Sequence, residues 1–154
     1  AGATLARGDQ HLDTTLRVEH ATARASSDQD FRNVVDGRAH AVFQGRIRVA
    51  PDAQKTDARQ INRSLLLSPA AVADSKPELE ILADDVRCSH GATVGDLDKD
   101  VLFYLRARGL DEAEARATLI DAFVGELLDG IEGEPAQAYL RRAFADWTRK
   151  GARP

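Results

Sequence analysis

Cys88 and His90 are the residues whose types and spacing best suit chemistry, in the segment Arg87-Cys-Ser-His-Gly-Ala-Thr-Val-Gly95. Side chains two apart on an extended strand point to one face, so thiol and imidazole would stand side by side. Such a Cys-x-His pair supplies two soft or borderline ligands, whereas a closed zinc site needs four. His11, His20 and His40 are remote in sequence, so the pair reads as an incomplete ligand set, of the kind a site shared between two subunits presents. Packing is the competing role for the thiol. Cys88 continues the face of Val86, and free cysteine is among the most buried residue types. For His90, Gly91 is expected to turn the chain and lift the imidazole to a rim. His90 is therefore the first candidate and Cys88 the second.

Other chemistries find less support. The segment Gly91-Ala-Thr-Val-Gly95 lacks the Gly-Lys-Ser/Thr ending of a phosphate-binding loop. The many Asp and Glu invite a carbohydrate-active enzyme working on acidic polysaccharide. Aromatics are only 5% of the chain, however, which leaves little for sugar stacking. No nucleophile stands close in sequence to a base.

The elements that must hold Cys88 and His90 are short strands. His11 to His20 alternates, with Leu12, Thr14, Leu16 and Val18 opposite Asp13, Thr15, Arg17 and Glu19, which predicts a half-buried strand. Ala21 to Asp30 reads as a loop or a weak edge, and Phe31 to Val35 as a strand stopped by Asp36-Gly37. Ala39 to Val49 has the cleanest period of two, and Gly45 on its apolar face predicts a bend or a close approach of two backbones. Asp52 to Arg63 is ambiguous between helix, polar strand and loop. Leu65 to Leu67 is a short buried run. A small-residue loop ending at Pro77 precedes a further alternation through Leu79, Ile81 and Ala83. This all-β pattern fits a sandwich, a barrel or a solenoid, and no strict repeat is visible.

From Leu97 the period becomes helical. Asp98 is a candidate N-cap and Gly109 a C-terminal stop. Asp111 and Glu114 form an Asp-x-x-Glu capping box, and Pro135 suits the first turn of a third helix. That helix carries Tyr139, Leu140, Ala143, Phe144 and Trp147, and ends in Arg149, Lys150 and Arg153. Phe103 is expected in the core, under the first helix. Tyr104, beside Arg106 and Arg108, is the candidate for an exposed docking position. Arg108 and Phe123 are the accompanying docking candidates, although aromatics on helical faces more often pack than recognise. The chain thus divides into a β body over residues 1–96 and a helical domain over residues 97–154.

The totals set outer bounds. The 154 residues suit one domain, or a compact domain with a helical appendage. A net charge of −4 argues against a nucleic-acid surface. A single cysteine cannot form an internal disulfide and fits a reducing compartment. With no apolar run long enough to cross a bilayer, the expectation is a cytoplasmic protein with no membrane partner. The chain begins at Ala1 and contains no methionine, which fits a processed protein or, as the favoured expectation, a piece of a longer one.

Several phrases in one order resemble the SufB/SufD family of iron–sulfur cluster assembly. They are Val42-Phe43-Gln44-Gly45-Arg46-Ile47, Gln54-Lys55-Thr56-Asp57-Ala58, Leu65-Leu66-Leu67-Ser68, Pro77-Glu78-Leu79-Glu80-Ile81, Cys88-Ser89-His90-Gly91-Ala92-Thr93 and Leu102-Phe103-Tyr104-Leu105 with Arg108-Gly109. Ser89 and Gly91, where SufB-type chains tend to carry acidic residues, incline the resemblance toward the SufD branch. The resemblance implies the C-terminal rungs of a right-handed parallel β-helix followed by a C-terminal helical domain. It further implies pairing of the β-helix with SufB and docking of the helices on the ATPase SufC. The role implied is that of a non-catalytic scaffold, with a homodimer as a further arrangement. It places a functional histidine at the SufB–SufD interface, here His90. No cofactor is expected on the chain alone, and any iron–sulfur cluster would be shared with SufB.

Overall fold

The computed structural model describes residues 1–151. Arg153 lies outside the described residues, as does the side chain of Lys150. Seven strands come first: β1 (Gly2–Ala6), β2 (His11–His20), β3 (Ser26–Val35), β4 (His40–Val49), β5 (Asp57–Leu66), β6 (Val72–Ile81) and β7 (Arg87–Asp96). The odd strands form one sheet in the order β1-β3-β5-β7, and the even strands form another in the order β2-β4-β6. Every pairing is parallel and in unbroken register. A chain that alternates between two parallel sheets is winding, and it makes a parallel β solenoid of roughly three turns, about 30 residues each.

The interior is apolar at its two sides and polar in the middle. Ala6, Val35, Ala39, Ala41 and Ala71 pack together at one side, and Ile47, Val49, Ala53, Ala58 and Ala83 at the other. Between them Phe43 is fully buried, with its ring 4.8 Å from that of Phe31. Gln29, Gln60, Asn33, Asn62 and Ser64 are buried beside these rings. They persist there because stacked rungs bond to one another. Gln60 Nε2 donates to Gln29 Oε1 at 2.7 Å, and Asn33 Nδ2 donates to Ser64 Oγ at 2.9 Å and Asn62 Oδ1 at 3.3 Å.

Those buried amides decide the ambiguous stretches. Asp52 to Arg63 contains no helix, and its second half belongs to β5, with Ala58, Gln60, Asn62 and Ser64 turned inward. The strand ending at Val35 begins at Ser26, and its first half, Ser26 to Asp30, pairs only with β5 because β1 covers Phe31 to Val35, so that half is an edge and the loop is confined to Ala21 to Ala25. Pro77 lies within β6. It is tolerated because the N–H groups of Val72 and Leu82 donate to β4, so alternation puts the Pro77 nitrogen on the free side of the strand. At Gly45 the close neighbour is a side chain and not a second backbone. A Cβ there would come within 2.3 Å of Gln60 Oε1.

Three helices follow: α1 (Lys99–Ala107), α2 (Glu112–Asp129) and α3 (Glu134–Gly151). Asp98 caps α1 by accepting from the Asp100 and Val101 N–H groups at 2.9 and 3.1 Å. Gly109 follows at φ 101°, a conformation that favours glycine. The Asp111–Glu114 capping box is present in both directions, at 2.8 and 3.1 Å. Helices α2 and α3 cover the outer face of the odd-stranded sheet, where Val34 and Leu65 meet Ile120, Val124, Leu128 and Phe144. Arg32, only 3% exposed, pins this interface: it bonds Glu126 at 2.8 Å, Asp30 at 3.0 Å and the Phe123 carbonyl. No helix among the described residues is long and apolar enough to cross a membrane.

Candidate functional site

Strands β6 and β7 are the last of their sheets, so the solenoid is open at that end. The Arg87 N–H donates to the Thr56 carbonyl at 2.8 Å, toward β5. Backbone groups alternate in direction along a strand, so Cys88, His90, Ala92 and Val94 direct their N–H and C=O groups away from the sheet, at an unpaired edge. Val72, Ile81, Leu82 and Val94 expose apolar side chains around it. An unpaired edge bordered by apolar surface is a template for adding a strand.

His90 stands at this open end, in register with the buried Gln60 of β5 and on the same inward face. It remains exposed because no later strand covers it, and it shares a shallow groove with Arg46, Pro77, Glu78, Leu79 and Glu80. The rim position is therefore real, but Gly91 does not produce it. Gly91 is an ordinary mid-strand residue, and β7 runs on to Asp96. Charged groups ring the groove. Arg46 donates to Glu80 at 2.6 Å, and Lys76 lies 3.0 Å from Glu78, holding that carboxyl below the usual range.

Cys88 is in register with Ala58 and packs against the cluster of Ile47, Val49, Ala53, Ala58 and Ala83. Burial raises its thiol pKa, reinforced by Asp57 and opposed by a backbone hydrogen bond at Ala58. The shift lowers still further the small thiolate fraction present at neutral pH, which weakens the sulfur as nucleophile or ligand. Alkylation of Cys88 by iodoacetamide at pH 7.5 should therefore run several-fold slower than that of a small free thiol. A faster rate would mean the thiol is activated.

The other histidines bond elsewhere. His20 Nε2 lies 2.9 Å from Ser27 Oγ, and His40 Nε2 lies 2.7 Å from Asp74 Oδ2 with the His11 ring against it. Among the described residues no three His, Cys, Asp or Glu side chains converge to hold a metal.

The helical region presents a second surface. No residue of α1 is buried. Phe103 is 75% exposed and Tyr104 54%, so Phe103 lies outside the core where the sequence placed it. The Arg108 guanidinium stacks 5.0 Å from the Tyr104 ring centre. Phe123 does not join them. It is half-buried against the α2–α3 cluster, with Arg32 5.5 Å from its ring. The interior amides Gln60 and Asn62 were not legible as site neighbours. Their one signal is polar residues at every second position behind Ala58.

Residues 1–123 match the family described as SUF system FeS cluster assembly, SufBD core domain. The chain belongs to the SufB/SufD family. That match takes in the whole solenoid, α1 and α2 as far as Phe123. An iron–sulfur cluster assembly SufBD family protein of Synechocystis is 45% identical over 142 residues, 92% of this chain and 31% of the relative. The iron–sulfur cluster assembly protein SufD of Escherichia coli is 44% identical over 141 residues, again 92% of this chain and 33% of the relative. A chloroplastic protein of Arabidopsis thaliana is 44% identical over 122 residues, 79% of this chain and 26% of its own length. The chain thus spans about a third of the curated SufB/SufD relatives it matches.

Proposed function

We propose that this chain is the partner-binding part of a SufD-type scaffold in iron–sulfur cluster assembly, working without turnover of its own. The open end of the solenoid pairs with a SufB-type subunit by adding its rungs to β6 and β7. His90 faces that junction, where a nascent cluster is held between the two subunits as cargo. The observation that carries this reading is the unpaired, apolar-bordered β7 edge with an exposed imidazole on its inward face.

The helical region docks on the SufC-type ATPase. Support comes from α1, which buries none of its residues and displays Phe103 and Tyr104 with Arg108 stacked on the latter. Exposed aromatics beside arginine have the composition of interface anchors. The double variant Phe103→Ser, Tyr104→Ser should weaken binding of the ATPase at least about tenfold, since anchor truncations typically cost 1 kcal/mol or more each. Binding of the SufB-type subunit should be unchanged. Calorimetric titration with each partner checks both halves. Undiminished ATPase affinity would remove α1 from the interface.

A further inference from the structure

A column of hydrogen-bonding side chains runs through the solenoid interior and stops one rung short of His90. His20 Nε2 meets Ser27 Oγ at 2.9 Å, Gln29 Nε2 donates to the same hydroxyl at 3.1 Å, and Gln60 Nε2 donates to Gln29 Oε1 at 2.7 Å. The column has a direction. Each glutamine turns its N–H groups back along the column, so the last one, Gln60, is left with a carbonyl. Gln60 is fully buried, and its Oε1 has no partner. An amide carbonyl sealed from water without a donor is costly, and such an atom points to a group that completes it.

The register limits which group that is. Gln60 Oε1 lies over Gly45 of the facing sheet. On the next rung, Gly45 is followed by Pro77 and Gln60 by His90. Proline has no N–H. The other inward residues of β7 are Cys88, Ala92 and Val94, so His90 brings the one nitrogen donor to that layer. The Ser75 hydroxyl, also unpartnered, is in register with Phe43 and belongs to a different layer.

We propose that Gln60 is the positioning residue for His90. When a partner's rung covers the open end, the imidazole turns from the groove onto Gln60 Oε1 and donates one ring N–H to it. That bond fixes the tautomer and leaves the other nitrogen's lone pair directed into the junction. The inference rests on the reading of His90 as an interface group, and it adds a buried residue that makes no contact with partner or cluster.

The test is nuclear magnetic resonance of this chain with ¹⁵N-labelled histidine, alone and saturated with a SufB-type subunit. His90→Gln assigns the resonance. Long-range ¹H–¹⁵N correlations should show exchanging tautomers in the free chain, and a preference of about tenfold for one tautomer in the complex, the effect of a single good hydrogen bond. Gln60→Leu should abolish that preference. Asn33→Leu removes a buried amide from the neighbouring column and should leave it intact, which separates positioning from general loosening of the interior. A complex that forms without a fixed tautomer, or one whose tautomer survives Gln60→Leu, overturns the assignment of Gln60 alone. Failure of the subunit to bind overturns the interface reading together with it.

Discussion

Ala92→Pro should cut the affinity of this chain for a SufB-type subunit by at least about tenfold while barely changing its melting temperature. The asymmetry follows from the direction of the backbone. The Arg87 N–H points to β5, so the N–H groups of the residues at odd spacing from it, Ala92 among them, point to the free edge. Proline at position 92 removes a donor that the folded chain does not use, and Pro77 of β6 already shows that a free-edge nitrogen tolerates it. An incoming strand loses one ladder bond and meets a ring in its place, and edge prolines are a recognised means of blocking strand addition. The control is Thr93→Pro, whose nitrogen faces β5. It should destabilise the chain by about 1–3 kcal/mol through loss of a bond already made. Equal effects of the two variants on melting, or no effect of Ala92→Pro on association, would mean that β7 is not the docking edge. Surface plasmon resonance and thermal melts supply both numbers.

The sequence disclosed those strands whose inward residues are apolar. Leu16 and Val18 in β2, and Ala41, Phe43, Ile47 and Val49 in β4, alternate with polar neighbours and were readable at once. Strand β5 was not, because its inward residues Gln60, Asn62 and Ser64 are polar, and their burial is made tolerable only by stacking on Gln29 and Asn33 one turn earlier. Periodicity arguments treat such side chains as solvent-facing, and a partner about thirty residues away carries no local signal. The same fact hid the repeat. The stacked set Leu16–Gly45–Pro77 shares a position in space and no residue type, and Gln29–Gln60–His90 keeps its type over only two of three rungs. The caps of α1 and α2 depend on neighbours three residues apart, so Asp98, Gly109 and the Asp111–Glu114 pair were legible. Phe103 was misplaced because an amphipathic helix without its partner looks, in sequence, like one packed on its own core.

For the site, residue types identified the chemistry and topology supplied the reason. Cys-x-His spacing singled out His90 and Cys88, and the stacking of rungs separates them. Cys88 closes over the apolar side at Ala58 and Ile47, whereas His90 follows Gln60 into the open end. The two side chains share a strand face but not an environment.

His90→Ala is the substitution on which the account depends most directly. His90 is exposed, and its side chain makes no hydrogen bond among the described residues, so its truncation should shift stability by no more than about 0.5 kcal/mol, as for other surface sites. In complexes rebuilt with SufB-type and SufC-type subunits, the yield of iron–sulfur cluster, read by its visible absorbance per folded complex, should fall about tenfold or more, the loss expected when an ordered ligand or its orienting partner is removed. The decisive measurement is therefore the cluster yield of the His90→Ala complex normalised to folded protein. A large loss at unchanged melting temperature is the predicted result, and a yield equal to that of the parent complex would contradict the assignment of this open end as the working site.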